Sequence, residues 1–382
     1  MKKTIIYIAA AVMAVSCIYP FDPEIPSAEA DKKLVVDGSI VLGGISTINL
    51  SYVSSLDKIG EALVKPKANA WIEDSNGKRF NANTSVITDK IRIPTENLQP
   101  GLQYRAGIDV DGDTYYSDWV EAEPAPQILK IDFTCDNDQV IVWTDLKVQD
   151  SNSGYVGFTF EECWEFHTDY YPEYDINPGN WAISPLMFPW PFYWCYRYDE
   201  SKQTVLWDFS SLKIEDSYSF RIHSFPCTDS RNHKRYSILV KAFAMSKDAY
   251  VYKKENQRMS ELGGDLFSPE PGTLEGNIHC ETNPDRQAFG YVMACEATSK
   301  REYLSSIYLR AVTFSDAFLV PVDPEDYSKY YYDLNYRPVK NVQAEEGNYI
   351  GWGPSRCINC IDAGGTQVKP VFWDEKTSPL VD

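Results

Sequence analysis

Histidine is scarce in this chain of 382 residues. The four present, His167, His223, His233 and His279, form no His-Glu-x-x-His pair, and neither a Gly-x-Ser-x-Gly elbow nor a Walker loop occurs. The signatures of zinc proteases, serine hydrolases and nucleotide hydrolases are thus missing, and no catalytic residue, metal site or cofactor is expected. Basic residues are also few. Lys and Arg number 36 against 55 Asp and Glu, a net charge of -19 that repels nucleic acid and anionic headgroups. Cys357-Ile358-Asn359-Cys360 has no second pair at similar spacing, which a tetrahedral zinc site requires. Asp109 to Asp113 has its glycine fourth rather than sixth and no glutamate at the twelfth place, so it reads as a hairpin turn and not a calcium loop. Carboxylates such as Glu161 and Glu162 are too common in an acidic chain to mark a glycosidase, whose two acids are defined by their separation in space.

Long apolar runs are confined to the beginning. Lys2 and Lys3 precede the run Ile5 to Val15, which ends in Ala14-Val15-Ser16-Cys17. That order is a secretory signal, residues 1–16, with a cysteine at the cut, the pattern of a lipoprotein. The run is shorter than the roughly 20 residues that span a bilayer. Lipidation of Cys17 would leave an exported body tethered through acyl chains, each adding about 0.8 kcal/mol per buried methylene. Eight cysteines remain: Cys135, Cys163, Cys195, Cys227, Cys280, Cys295, Cys357 and Cys360. An even count in an exported chain favours disulfides, with the Cys357/Cys360 pair forming a local or tail-fastening bridge.

Residues 17–31 are acidic and proline-bearing, a tether. From 32 to 122 short alternating strands follow, with turns at Asn76-Gly77, Pro100-Gly101 and Asp111-Gly112, the spacing of a β-sandwich. Proline-bearing Glu121 to Pro126 reads as a boundary. A second sandwich is expected over 127–313, interrupted at 162–198 by an aromatic insertion. There Phe188-Pro189-Trp190-Pro191-Phe192 cannot form a central strand, because proline lacks the donor. One helix is expected over 247–262, capped by Ser246 and stopped by Gly263-Gly264, with Ala249, Tyr252, Met259 and Leu262 on its packed face. The remainder, 314–382, is an acidic, tyrosine-rich, loop-rich tail. The fold class is therefore mainly β: two immunoglobulin-like or fibronectin-like sandwiches with one packed helix.

The insertion holds the candidate binding residues Trp181, Trp190, Tyr193 and Trp194. Exposed, these aromatics would stack on sugars or anchor a protein interface. Alternatively they form a private hydrophobic cluster over a sandwich edge, pinned by Cys163 and Cys195.

Leu34-Val35-Val36-Asp37-Gly38, the stretch Val64 to Gly77, Gly263-Gly264-Asp265-Leu266-Phe267-Ser268-Pro269, Gly276-Asn277-Ile278, the Cys357/Cys360 pair and Lys369-Pro370-Val371-Phe372-Trp373 carry a family likeness. With the export signal, they make the chain resemble the domain-of-unknown-function 4249 lipoproteins of Bacteroidota. The resemblance implies an outer-membrane, surface-exposed lipoprotein encoded beside a TonB-dependent transporter and serving it as a non-enzymatic accessory that binds or delivers cargo. A glycan-binding lipoprotein and an adhesin or structural surface protein are the alternatives.

Overall fold

The computed structural model describes residues 33–53, 65–82, 90–148, 154–212, 216–262, 274, 276–305, 318–344 and 347–374. Cys17 with its export signal, the tether, Gly263 to Pro269 and Ser306 to Val312 lie outside them. Period-2 burial starts at once: Leu34, Val36, Ile40 and Leu42 of strand Leu34–Leu42 point inward. This strand pairs antiparallel with Ile45–Tyr52, which pairs with Lys90–Pro94. Facing them is a sheet in the order Ile278–Cys280, Asp113–Ser117, Gln103–Val110, Ala68–Asp74, Arg79–Asn81. Between the layers Ile40, Ile48, Ile72, Ile93 and Ile108 are fully buried, each contributing about 2 kcal/mol of hydrophobic stabilisation. The expected hairpins form, Gly77 at φ +84° and Asp111 and Gly112 at +51° and +88°.

The second sandwich sets Trp194–Glu200, Tyr155–His167, Arg235–Met245 and the end of Ala288–Ser305 against a sheet of Tyr218–Pro226, Gln139–Lys147 and Gln127–Asp136. Its core is aromatic where the first is aliphatic: Phe158, Trp164, Phe209, Phe220, Phe225 and Tyr236 meet there.

One strand is shared by the two. Residues 288–296 of Ala288–Ser305 pair in parallel with Leu34–Leu42, and residues 297–305 pair antiparallel with Arg235–Phe243. One eight-stranded sheet thus runs through both sandwiches among the described residues. The strand spacing assigns 278–296 to the second sandwich, yet Ile278, Cys280, Val292 and Ala294 pack into the first core. The Gly276-Asn277-Ile278 motif explains the return. Buried Asn277 donates from Nδ2 to Val292 O and accepts from Val292 N, both at 2.8 Å. A Cβ on Gly276 would stand 1.8 Å from Gly290 O, and one on Gly290, at φ +113°, 1.7 Å from Val36 O.

The helix spans Lys247–Leu262. Ser246 Oγ accepts from Ala249 N at 3.3 Å, capping the first turn. Ala249 and Tyr250 bury against Met245, Met293 and Cys295. Tyr252 and Met259 are half-buried, Tyr252 lying against Tyr291 at 5.1 Å, while the Leu262 side chain is outside the described set.

Candidate functional site

The aromatic insertion is shorter than its sequence boundaries suggest. Cys163, Trp164 and Phe166 sit inside Tyr155–His167, and Cys195 inside Trp194–Glu200, so both ends of 162–198 are sandwich strands and the excursion is 168–193. It carries a small hairpin, Tyr174–Asn177 with Ala182–Pro185. The tail is also more regular than loop. Val320–Pro321, Gly347–Pro354 and Tyr336–Ala344 form a three-stranded sheet, preceded in part by a short helix, Tyr327–Tyr332.

Insertion and tail build one cap on the second sandwich. Tyr170 N donates to Cys357 O and Cys360 N to Phe192 O, both 2.9 Å, and Tyr196 and Thr366 exchange backbone bonds of 2.8 Å. A disulfide joins Cys195 to Cys360. Ile176, Val322 and fully buried Trp352 form the cap's own core. The candidate aromatics divide accordingly. Trp181, at φ +58°, sets its ring edge-on to Tyr331 and Tyr332, and Trp190 Nε1 donates to Ile358 O. Both fasten the tail. Tyr193 stacks on His167 at 5.1 Å, and Trp194 remains 38% exposed with Lys234 Nζ 4.7 Å above its ring. The four do not form one aromatic platform. What stands in water instead is the tip, Met187 at 85% and Phe188 at 79% exposure.

Cys163 does not join Cys195, and of the two readings of the Cys357/Cys360 pair the tail-fastening one holds: Cys360 bonds Cys195 on strand Trp194–Glu200, while Cys357 stays a thiol. Cys163, Cys280, Cys295 and Cys357 are buried thiols. Burial pushes Cys163 and Cys295 up to about 12, and burial with neighbouring Asp169 pushes Cys357 up to about 11. Cys135 and Cys227 are different: their sulfurs are 2.9 Å apart at the exposed end of the three-stranded sheet.

Under the cap lies a charged network that sequence reading passed over. Glu161 points out to Lys241, whereas Glu162 points into the sandwich. Arg231 grips Glu162 bidentately, Nε to Oε1 and Nη2 to Oε2 at 3.1 Å each, while Tyr236 Oη donates to Oε1 and His223 Nε2 lies 3.2 Å from it. Burial raises the Glu162 carboxyl pKa, but the hydrogen bonds and charges of His223 and Arg231 outweigh it and hold it at about 2. Arg231 also reaches Asp229 and Asp199 and lies 4.3 Å above the Trp164 ring.

Beside the network opens a cleft of about 250 Å³ lined by Phe166, His167, Arg197, Ser230, His233 and Arg356, among others. His167 and His233 stack at 4.3 Å, and His233 Nδ1 accepts from His167 N. Burial, then the neighbouring His167, lower the His233 pKa to about 4, so this ring is neutral at pH 7. Three of the four histidines thus gather at this end, while His279 pairs with Asp118 on the first sandwich. Sequence carries no signal for Arg197 and Arg356 as partners, being 159 positions apart. Among the described residues no group of three or more His, Cys, Asp or Glu is placed to hold a metal ion, and no helix is long and apolar enough to cross a membrane.

Fold and cap define a mainly β double sandwich with an elaborated end. The chain belongs to the family described as Domain of unknown function (DUF4249), which matches residues 18–301 and stops short of the tail. No curated protein matches the sequence. Among solved structures, a two-domain fibronectin type III segment of chicken tenascin is similar over 55% of this chain and 88% of its own, at 8% identity and TM-score 0.17. A candidate carbohydrate-binding protein of Bacteroides uniformis is similar over 55% and 89%, at 8% identity and TM-score 0.15.

Proposed function

We propose that this chain is a lipid-anchored, non-enzymatic binding protein of the bacterial outer membrane, working beside a TonB-dependent transporter and touching it through the capped end. The observation that carries the reading is the tip. Met187 and Phe188 stand almost wholly in water, on a base fixed by the Cys195–Cys360 bridge and the backbone bonds to the tail. Bulky apolar side chains displayed on a rigid base suit a protein contact, because little ordering entropy is lost on docking. Lipidation of Cys17 would confine the body to a membrane surface and raise its effective concentration near a barrel there, so a modest interface suffices. The family likeness supplies the kind of barrel. A glycan-binding role for the insertion is weaker, since Trp181 and Trp190 are spent on the tail.

The test is affinity purification from gently solubilised outer membranes, comparing wild type, a Met187→Ser/Phe188→Ser variant and an unrelated outer-membrane lipoprotein. A TonB-dependent barrel enriched with wild type and depleted with the tip variant is the expected result. Equal recovery of barrels with the unrelated lipoprotein would refute the transporter reading. Normal acyl labelling of Cys17→Ala would refute the anchor.

A further inference from the structure

We infer that the cleft between the second sandwich and its cap is a binding site for the oxyanion group, carboxylate or phosphate, of a small ligand, held by Arg197 and Arg356. In a chain of net charge -19 this lining is cationic, with two guanidiniums against the single carboxylate of Asp169. Arg197 is the central group. Its guanidinium lies 4.5 Å from the Phe166 ring centre and gives one hydrogen bond, Nη2 to Ala363 O, among the described residues. Five donors with one acceptor leave a half-buried cation short of partners. The carboxylate that attracts it, Asp229, is already gripped by Arg231 at 3.2 Å. Burial lowers the Arg197 pKa, the mark of a cation whose lost hydration is not fully replaced. Arg231, two strands further along the sequence and also half-buried, shows the contrast: it has Glu162, Asp229 and Asp199 around it. Arg356 stands exposed at the rim, so a second fork can close on an anion entering from solvent. A planar guanidinium fixed against an aromatic ring loses little freedom on binding, and its paired N–H groups match the oxygens of carboxylate or phosphate. The volume suits a small molecule rather than a polymer.

The inference rests on the binding role proposed above but not on the transporter contact. Its test is therefore done with purified, detergent-solubilised full chain and no barrel present. Calorimetric titration with sodium phosphate and, separately, with sodium succinate should give saturable heat with at least one, the stronger naming the oxyanion. Arg197→Gln and Arg356→Gln should each weaken that binding about tenfold or more, the size of one lost charge-assisted contact. Arg356→Gln alters an exposed side chain and serves if Arg197→Gln fails to fold. No saturable heat with either salt overturns the inference, and so does binding that neither substitution changes, which would mark an adventitious ion only. Barrel recovery by the tip is read in a separate assay, so either idea can fail without the other.

Discussion

The two sandwiches solve the same problem with different materials. The first packs isoleucine and leucine between its sheets, with small polar contacts such as Ser46 Oγ to Thr95 Oγ1 at 2.8 Å, and its buried carboxylate, Asp74, accepts from backbone N–H groups of its own turn, those of Asn76 and Lys78. The second fills its core with aromatic rings and takes in a charged carboxylate and an arginine, then adds a disulfide-fastened cap. An aliphatic core tolerates little chemistry; a charged, aromatic end costs desolvation but presents arginines and rings where a partner can reach them. The first body reads as scaffold, the second as the working end.

The largest expected effect lies in the scaffold. Gly290→Ala places a methyl group on Val36 O and demands a positive φ, so it should cost upwards of about 4 kcal/mol and abolish recovery of folded protein. Normal yield and melting would mean that the two bodies do not depend on their shared strand. Next comes Glu162→Gln, which leaves Arg231 buried with its bidentate partner neutralised. A loss of about 3 kcal/mol is expected, seen by hydrogen exchange as faster opening of 155–245 than of 34–52. The sign with pH follows from both groups. His233 is held at about 4 below its ordinary 6.5, so the stabilisation from its neutral ring is complete above pH 6.5 and fades as pH falls toward 4. Glu162 is held at about 2 below its ordinary 4.5, so its stabilisation is present above pH 4.5 and lost as pH falls through 2. Acid should therefore loosen the second sandwich before the first, and simultaneous opening of both would erase the contrast.

Cys360→Ser should cost about 2 to 4 kcal/mol and expose the tail to protease while strands 34–52 stay protected. Peptide mapping without reductant should find Cys195–Cys360 and Cys135–Cys227 bridges, with Cys163, Cys280, Cys295 and Cys357 as thiols. Finding Cys357 joined to Cys360 would break the account of the cap. The smallest effect is Ser246→Ala, about 1 kcal/mol from the lost cap, read as a lowered melting temperature.

Where local pattern and local structure coincide, the sequence was legible. The helix came from its cap and apolar spacing, and the hairpins from Asn76-Gly77 and Asp111-Gly112. Strand Tyr155–His167 was misread at its end because Glu162 to Phe166 are all buried, so period-2 alternation vanishes and the segment looks like aromatic loop. Ala288–Ser305 falls wholly within the expected second sandwich because no local pattern reports that its first half pairs with Leu34–Leu42 and its second with Arg235–Phe243. The cleft was illegible: Arg197 and Arg356 line one cavity only through the tail's fold, and an inward Glu162 is indistinguishable from its outward neighbour Glu161 until register is known.

The shared strand has a mechanical meaning. Leu34–Leu42 is the first described strand after the segment that would carry the anchor, and it runs parallel to residues 288–296. Tension drawn along the chain from that side would load nine consecutive paired positions together, in shear, instead of peeling them one at a time. The same strand continues into the capped body, so such a load would pass from one body to the other along one paired backbone.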